Sequence, residues 1–225
     1  MTALALLAGC GDDEAKDERS SGGGDTAATT EQPTTTEAAE PATECKPVDD
    51  PAPKPDGGQE KPPNKLAAGK TYSLVVTTNC GAFTIKLDQK QAPNATASLV
   101  SLANKKFFDG TVFHRIVPDF VIQGGDPTAS GTGGPGYSTK DKVSPNAAYT
   151  KGVVAMAKAG NEPPGAAGSQ FYVVTGEDAG LPPDYAVVGK VSEGQDVVDK
   201  IGALGGANEQ PTETVLIESA RVKES

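Results

Sequence analysis

"FHRIVPDFVIQGGDP", residues 113–127, sets one arginine among Phe, Ile and Val, then adds a glutamine, two glycines and an acid. A guanidinium is always charged, and a buried charge left without a partner costs several kcal/mol. Arg115 must therefore reach a partner, a groove or a ligand. Short β-rich runs lie on both sides of the stretch. "YSLVVTTN" and "CGAFTIKLD" flank a turn at Asn79–Gly81 and predict a hairpin. "TVFHRIV", "FVIQGG", "GVVAMA", "SQFYVVT", "YAVVGKV" and "TETVLIESARV" complete the series. Two segments keep helical spacing instead. "APNATASLVSLANKKFF" aligns Leu99, Leu102, Ala103 and Phe107 after a first-turn proline, Pro93. "GQDVVDKIGAL" aligns Val197, Val198 and Ile201. About eight strands with two helices predict a mainly β fold, a closed eight-stranded antiparallel barrel capped by two α-helices.

At 225 residues the chain has room for one large domain or two small ones, and composition decides for one. All eleven aromatic residues lie at Tyr72 or beyond. Residues 11–64 hold eight of the 18 prolines, among runs of Thr, Ala, Glu and Gly. Such a mixture buries too little apolar surface to offset the entropy of ordering its backbone. A disordered acidic tether is expected over 11–64 and a folded domain over 65–225. Charge divides the same way: the tether carries 14 acidic against 5 basic side chains, the domain 16 against 15. The net charge of −10 therefore belongs to the tether rather than to an acidic face. No basic stripe is left on the domain, which argues against a nucleic acid partner.

The first ten residues, "MTALALLAGC", read as the end of a signal peptide rather than as part of the fold. Leu7-Ala8-Gly9-Cys10 resembles a bacterial lipobox. That resemblance implies acylation of the Cys10 thiol and a lipid anchor on the extracytoplasmic face of a bacterial membrane. The apolar run before Cys10 is short and lacks a preceding Lys or Arg, so the true start is expected upstream of this Met. No run of about 20 apolar residues occurs elsewhere, so the expected membrane contact is the lipid alone.

Several candidate chemistries fall away. "GTGGPG", residues 131–136, spells a dinucleotide-binding fingerprint, but no helix follows it and Pro135 removes a backbone donor. Asn94-Ala95-Thr96 matches a glycosylation triplet but sits in a predicted helix. His114 is the only histidine, without neighbours at metal-ligand spacing; a structural imidazole bonded to backbone is expected. No Ser, His and acid arrangement is legible, and neither a cofactor nor a metal is called for.

Arg115 remains. "FHRIVPDFVIQGGDP", "GTGG", "VAMAKAG", "GSQFYV" and "YAVVGKV", in this order from about Thr71 to Val222, resemble the cyclophilin family of peptidyl-prolyl isomerases. The resemblance implies an eight-stranded barrel with its active groove on the outer face, and proline-containing peptide segments as partners. It implies catalytic roles for Arg115, Phe120 and Gln123: Phe120 lining the proline pocket, Gln123 positioning Arg115 and the substrate backbone. It further implies substrate contacts from Val121, from Ala157 and the Lys158 backbone at the groove edge, and from Gln170 on the substrate backbone. Tyr172 and Leu181 complete the apolar slot, and Tyr185 closes one side.

The departures concern specificity more than activity. Val121 stands where the family commonly has Met, Tyr172 replaces a usual Phe, Lys158 a common Asn and Tyr185 a common His. The family's groove tryptophan has no counterpart near Gly180, so weak cyclosporin binding is expected. The loop "NEPPGAA" between Gly160 and Gly168 is longer than usual. A rival reading of another class is a module or holdase that binds proline segments without useful turnover; the intact Arg115, Phe120 and Gln123 weigh against it. With Cys10 acylated, Cys45 and Cys80 are left as a pair in an oxidising compartment. They either close a disulfide at the first hairpin that pins residues 45–70 to the barrel or stand as two free thiols.

Overall fold

The structure, a computed structural model, describes residues 44–63 and 65–225. The segment read as a signal remnant, Cys10 and the expected tether as far as residue 43 lie outside the described residues. The chain runs β1 (Tyr72–Thr78), β2 (Gly81–Leu87), α1 (Pro93–Asn104), β3 (Thr111–Val112), β4 (Arg115–Val117), β5 (Val121–Gly124) and β6 (Thr139–Lys140). It continues through β7 (Val153–Met156), β8 (Ala166–Ala167), β9 (Phe171–Val174), β10 (Val187–Glu193), α2 (Gln195–Gly202) and β11 (Leu216–Glu224), with a 3-10 turn at Ala207–Glu209. No helix among the described residues is long and apolar enough to cross a membrane.

Nine strands form one sheet in the order β3-β11-β1-β2-β10-β7-β9-β5-β4, and β6 pairs with β8 separately. The two end strands, β3 and β4, are consecutive in the chain, with Phe113 and His114 alone between them. Counted as one interrupted strand, residues 111–117 close the sheet into a ring of eight. The predicted barrel is therefore the observed fold, and β1 shows why: Tyr72, Leu74, Val76 and Thr78 are buried while the residues between them are half-buried, the period-2 signature of a strand with one face on a core.

Inside the ring, Phe113 and Phe108 each meet Phe171 edge-to-face, with centroids 6.0 and 5.9 Å apart, and Phe83 lies 6.3 Å from Phe113. Such aromatic pairs contribute about 0.5–1.5 kcal/mol each beyond their buried area. Both helices cap this core. Ala95, Leu99, Leu102 and Ala103 of α1, and Val198 and Ile201 of α2, are buried. Pro93 occupies the first turn of α1, and the carboxylate of distant Asp141 accepts from the Asn94 and Ala95 N–H groups at 3.0 and 2.8 Å. A negative group is favourable at this end of a helix.

The expectation of disorder up to residue 64 is corrected over residues 44–63. Cys45 and Cys80 are joined by a disulfide at the β1–β2 hairpin, and Lys46 N–H donates to the Asn79 carbonyl at 2.9 Å. Beyond them an extended strap crosses the barrel. Lys54 N–H donates to the Pro127 carbonyl at 2.8 Å, and its ammonium donates to the Phe107 and Asp109 carbonyls at 2.5 and 2.9 Å. Gly57 and Gln59 N–H groups donate to the Gly134 and Pro135 carbonyls at 2.9 and 3.0 Å. Apolar burial does not hold this segment. A covalent link, backbone bonds to a remote loop and the Lys54 ammonium do, and composition registers none of them.

Candidate functional site

The pairing of β4, β5, β9 and β7 places Arg115 opposite Gln123, Gln123 opposite Tyr172 and Tyr172 opposite Ala155, in one lateral row. The adjacent row, Ile116, Ile122, Val173 and Val154, is fully buried in the barrel. Since successive side chains point to opposite faces, the first row faces outward. The arginine lies in an apolar run because alternate residues of that run belong to the core.

The outer face carries an apolar cluster of its own. Val121, Tyr149, Ala155, Tyr172 and Val174 are buried there, with Phe120, Ala157, Leu181 and Tyr185 packed against them. A cavity of about 210 Å³ opens over this cluster, lined by Arg115, Phe120, Val121, Gln123, Ala157, Lys158, Tyr172, Leu181 and Tyr185. Nine of the ten groove residues named from sequence thus share one cavity. The tenth, Gln170, lies in an adjoining depression of about 590 Å³ that shares Gln123, Ala157 and Lys158 with it.

Arg115 stands at the edge of the apolar slot with its side chain 29% exposed. Its Nε donates to Glu209 Oε2 at 2.6 Å and its Nη1 to Gln123 Oε1 at 3.4 Å, and Cζ sits 5.8 Å from the Phe120 ring centre. The hydrogen bond and charge of Arg115 hold the Glu209 carboxyl below its usual range. Behind Arg115 the polar groups continue in series. Gln123 Nε2 donates to Gln170 Oε1 at 3.0 Å, and Gln170 Nε2 donates to the Gly131 and Gly133 carbonyls at 3.0 and 2.9 Å.

The acid that ends the opening stretch anchors this loop. Asp126 is fully buried and accepts from Thr128 N–H and Oγ1 at 2.7 and 2.8 Å, and from Gly131 and Gly133 N–H at 2.6 and 3.1 Å. Burial pushes its carboxyl up, but these donors outweigh burial and hold it below the usual carboxylate range. A Cβ on Gly133 would stand 2.2 Å from Asp126 Oδ1, so the glycine admits the carboxylate. "GTGGPG" is therefore a loop wrapped on an internal anion.

Of the substituted positions, Lys158 and Tyr185 have polar partners and the Tyr172 hydroxyl has none among the described residues. The Lys158 side chain is only 6% exposed, with its ammonium 3.3 Å from the Glu162 carbonyl, 3.9 Å from Asp184 Oδ2 and 5.5 Å from the Tyr185 ring centre. The Tyr149 hydroxyl donates to the Tyr185 carbonyl at 2.9 Å and accepts from Tyr185 N–H at 3.0 Å, pinning the loop that carries Leu181. The Tyr172 hydroxyl is buried without a hydrogen-bond partner among the described residues, and burial pushes its phenol well above the usual value.

His114 corrects one expectation: neither imidazole nitrogen meets a hydrogen-bond partner among the described residues. The nearby Val112 backbone acts on the imidazole electrostatically but stands outside hydrogen-bond geometry. Burial lowers the pKa of His114, Asp126 opposes the shift and Arg115 adds to it.

Sequence reading missed Glu209, Asp126 and Tyr149. Asp126 had a local signal, an acid two residues before a threonine at the start of a glycine-rich loop. Glu209 had none, since its contact with Arg115 spans 94 positions.

The family described as "Cyclophilin type peptidyl-prolyl cis-trans isomerase/CLD" matches residues 73–222. A probable peptidyl-prolyl cis-trans isomerase A of Mycobacterium leprae is 37% identical over 178 residues, covering 71% of this chain and 95% of that protein. Peptidyl-prolyl cis-trans isomerase B of Streptomyces anulatus is 38% identical over 166 residues, covering 65% and 93%. A solved Cryptosporidium parvum cyclophilin type peptidyl-prolyl cis-trans isomerase, crystallised in the presence of the dipeptide Ala-Pro, is 27% identical with a TM-score of 0.62. It covers 67% of this chain and 98% of its own.

Proposed function

The chain belongs to the cyclophilin-type peptidyl-prolyl cis-trans isomerase family, and on that footing we propose that it accelerates X–Pro rotation in proteins folding outside the cytoplasmic membrane, with Arg115 as the principal donor. One observation carries the site assignment: Arg115 and Gln123 share a cavity of about 210 Å³ with the apolar Phe120, Val121, Ala157 and Leu181.

Rotation of an X–Pro bond requires breaking amide resonance, against a barrier of about 18–20 kcal/mol. As resonance is lost, the prolyl nitrogen recovers its lone pair and becomes a hydrogen-bond acceptor. Nothing else changes covalently, so no nucleophile is needed. The slot of Phe120, Val121, Leu181 and Tyr172 holds the pyrrolidine ring while the preceding carbonyl turns. The Arg115 fork, steadied through Nε by Glu209 and through Nη1 by Gln123, offers its N–H groups to the localising lone pair. Fixed donors in a site with little water stabilise such a state far better than mobile water does. Gln170 and the Ala157–Lys158 edge bind the extended backbone on either side.

An exchange measurement by NMR on an Ala-Pro peptide tests this reading. Cis–trans exchange accelerated by catalytic amounts of the chain supports it, and binding without acceleration replaces it with the holdase. The anchor has a separate test. A Cys10→Ser variant is expected to leave the membrane fraction with unchanged specific activity, and retention in that fraction refutes a lipid on Cys10.

A further inference from the structure

We infer that the strap at residues 54–59 is a positioning element for Arg115, acting through the polarity of a hydrogen-bond series that begins in the loop the strap holds. The inference rests on Arg115 being the donor of the proposed reaction. Loop 131–136 is held from two sides. Asp126 grips it from within the barrel. From outside, Asp56 Oδ1 accepts from Gly134 N–H at 2.8 Å, Gly57 N–H donates to Gly134 O, and Gln59 N–H donates to Pro135 O. The contact is close because both partners are glycines: a Cβ on Gly136 would stand 3.0 Å from Gly57 Cα.

The loop matters for what it presents inward. The Gly131 and Gly133 carbonyls can only accept, so Gln170 must turn its NH₂ towards them. Its Oε1 is thereby left facing Gln123, which must donate through Nε2. Gln123 then has its Oε1 facing the Arg115 guanidinium. A free glutamine amide has no preference between its two flipped states. Here each is set by the one before it, and the series starts at two carbonyls whose loop the strap holds in place. If the loop shifts, Gln170 is free to flip and turn its NH₂ on the NH₂ of Gln123, which then has donors on both sides and is pulled out of line with the guanidinium. Arg115 loses its Gln123 support and swings on Glu209 alone.

Two single variants of the full chain test this. Gly57→Pro removes the N–H that reaches Gly134 and cannot adopt the strap's φ of +73°; it touches neither barrel nor cavity. Asp56→Asn keeps the oxygen that accepts from Gly134. Gly57→Pro is expected to lower kcat/KM on an Ala-Pro peptide by about tenfold, below the ~10²-fold cost of a 1 Å misplacement at a reacting group. Its melting temperature should change little, and the side-chain amide signals of Gln123 and Gln170 should move in ¹⁵N NMR spectra. Asp56→Asn should stay within about twofold of the parent, since its acceptor is retained. Unmoved amide signals in Gly57→Pro overturn the inference, whatever happens to activity. Moved signals with unchanged kcat/KM in an active parent overturn it too, by separating the series from catalysis. A parent that does not catalyse exchange at all overturns the proposed function instead, and the amide signals then report on the series by themselves.

Discussion

Arg115 and Ile116 are neighbours in opposite environments, one at the edge of an open groove and one in a sealed core. His114 precedes them, buried and without a hydrogen bond among the described residues, and folding favours its neutral form because burial outweighs the attraction of Asp126. The unfolded chain takes up a proton at this residue below about pH 6.5, which the folded state resists. Stability from the neutral imidazole is thus fully present above that value and is lost as pH falls towards the lowered folded-state pKa. The lowered carboxylates Asp88, Asp109 and Asp126, and the exposed Glu209 and Glu224, act only near and below their ordinary values of 3.8 and 4.5, which leaves a window between about pH 5 and 6.5 for the histidine. Thermal melts of the parent should fall across that window, and those of His114→Gln should be flat. A flat parent curve would mean that His114 titrates alike in both states. Arg115 itself was legible as a functional residue because a lone charge in an apolar run demands an explanation. Its ion-pair partner was not, because Glu209 meets it only through the fold.

Among the elements, β1, β2 and both helices were legible because their apolar residues recur at the spacing of a buried face. The strap was legible only through its cysteine pair, because the rest of its order comes from backbone donors satisfied 70 or more residues away. A Pro-rich run needs few such bonds, since proline has already surrendered much of its backbone freedom. The Cys45–Cys80 link closes a separation of 35 residues. Its removal by a Cys45→Ser, Cys80→Ser double variant should cost about 3–4 kcal/mol on the chain-entropy model. Denaturant titrations measure that loss, and peptide mapping without reductant should recover the two cysteines in one linked fragment. A double variant as stable as the parent would mean that the backbone bonds alone hold the strap.

For the whole molecule, ring closure puts one row of side chains on each face of the same four strands, so core and groove are two sides of one sheet. That arrangement was legible in outline from strand count and alternation. Register, which brings Arg115, Gln123 and Tyr172 into line, depends on pairing between remote segments and was reached only by resemblance. The groove lacks a tryptophan near Gly180, and the chain is expected to bind cyclosporin weakly while staying active. Calorimetric affinity equal to that of a tryptophan-containing member would show that Leu181 and Tyr185 rebuild the site. The central claim, that a fixed guanidinium lowers the barrier, is tested most directly by Arg115→Ala in the peptide exchange measurement. Loss of one transition-state donor of this kind costs about 10²–10³ in rate, and such a loss, in a variant whose melting curve matches the parent, is the expected result. An Arg115→Ala chain that exchanges the peptide within a few-fold of the parent would contradict the account.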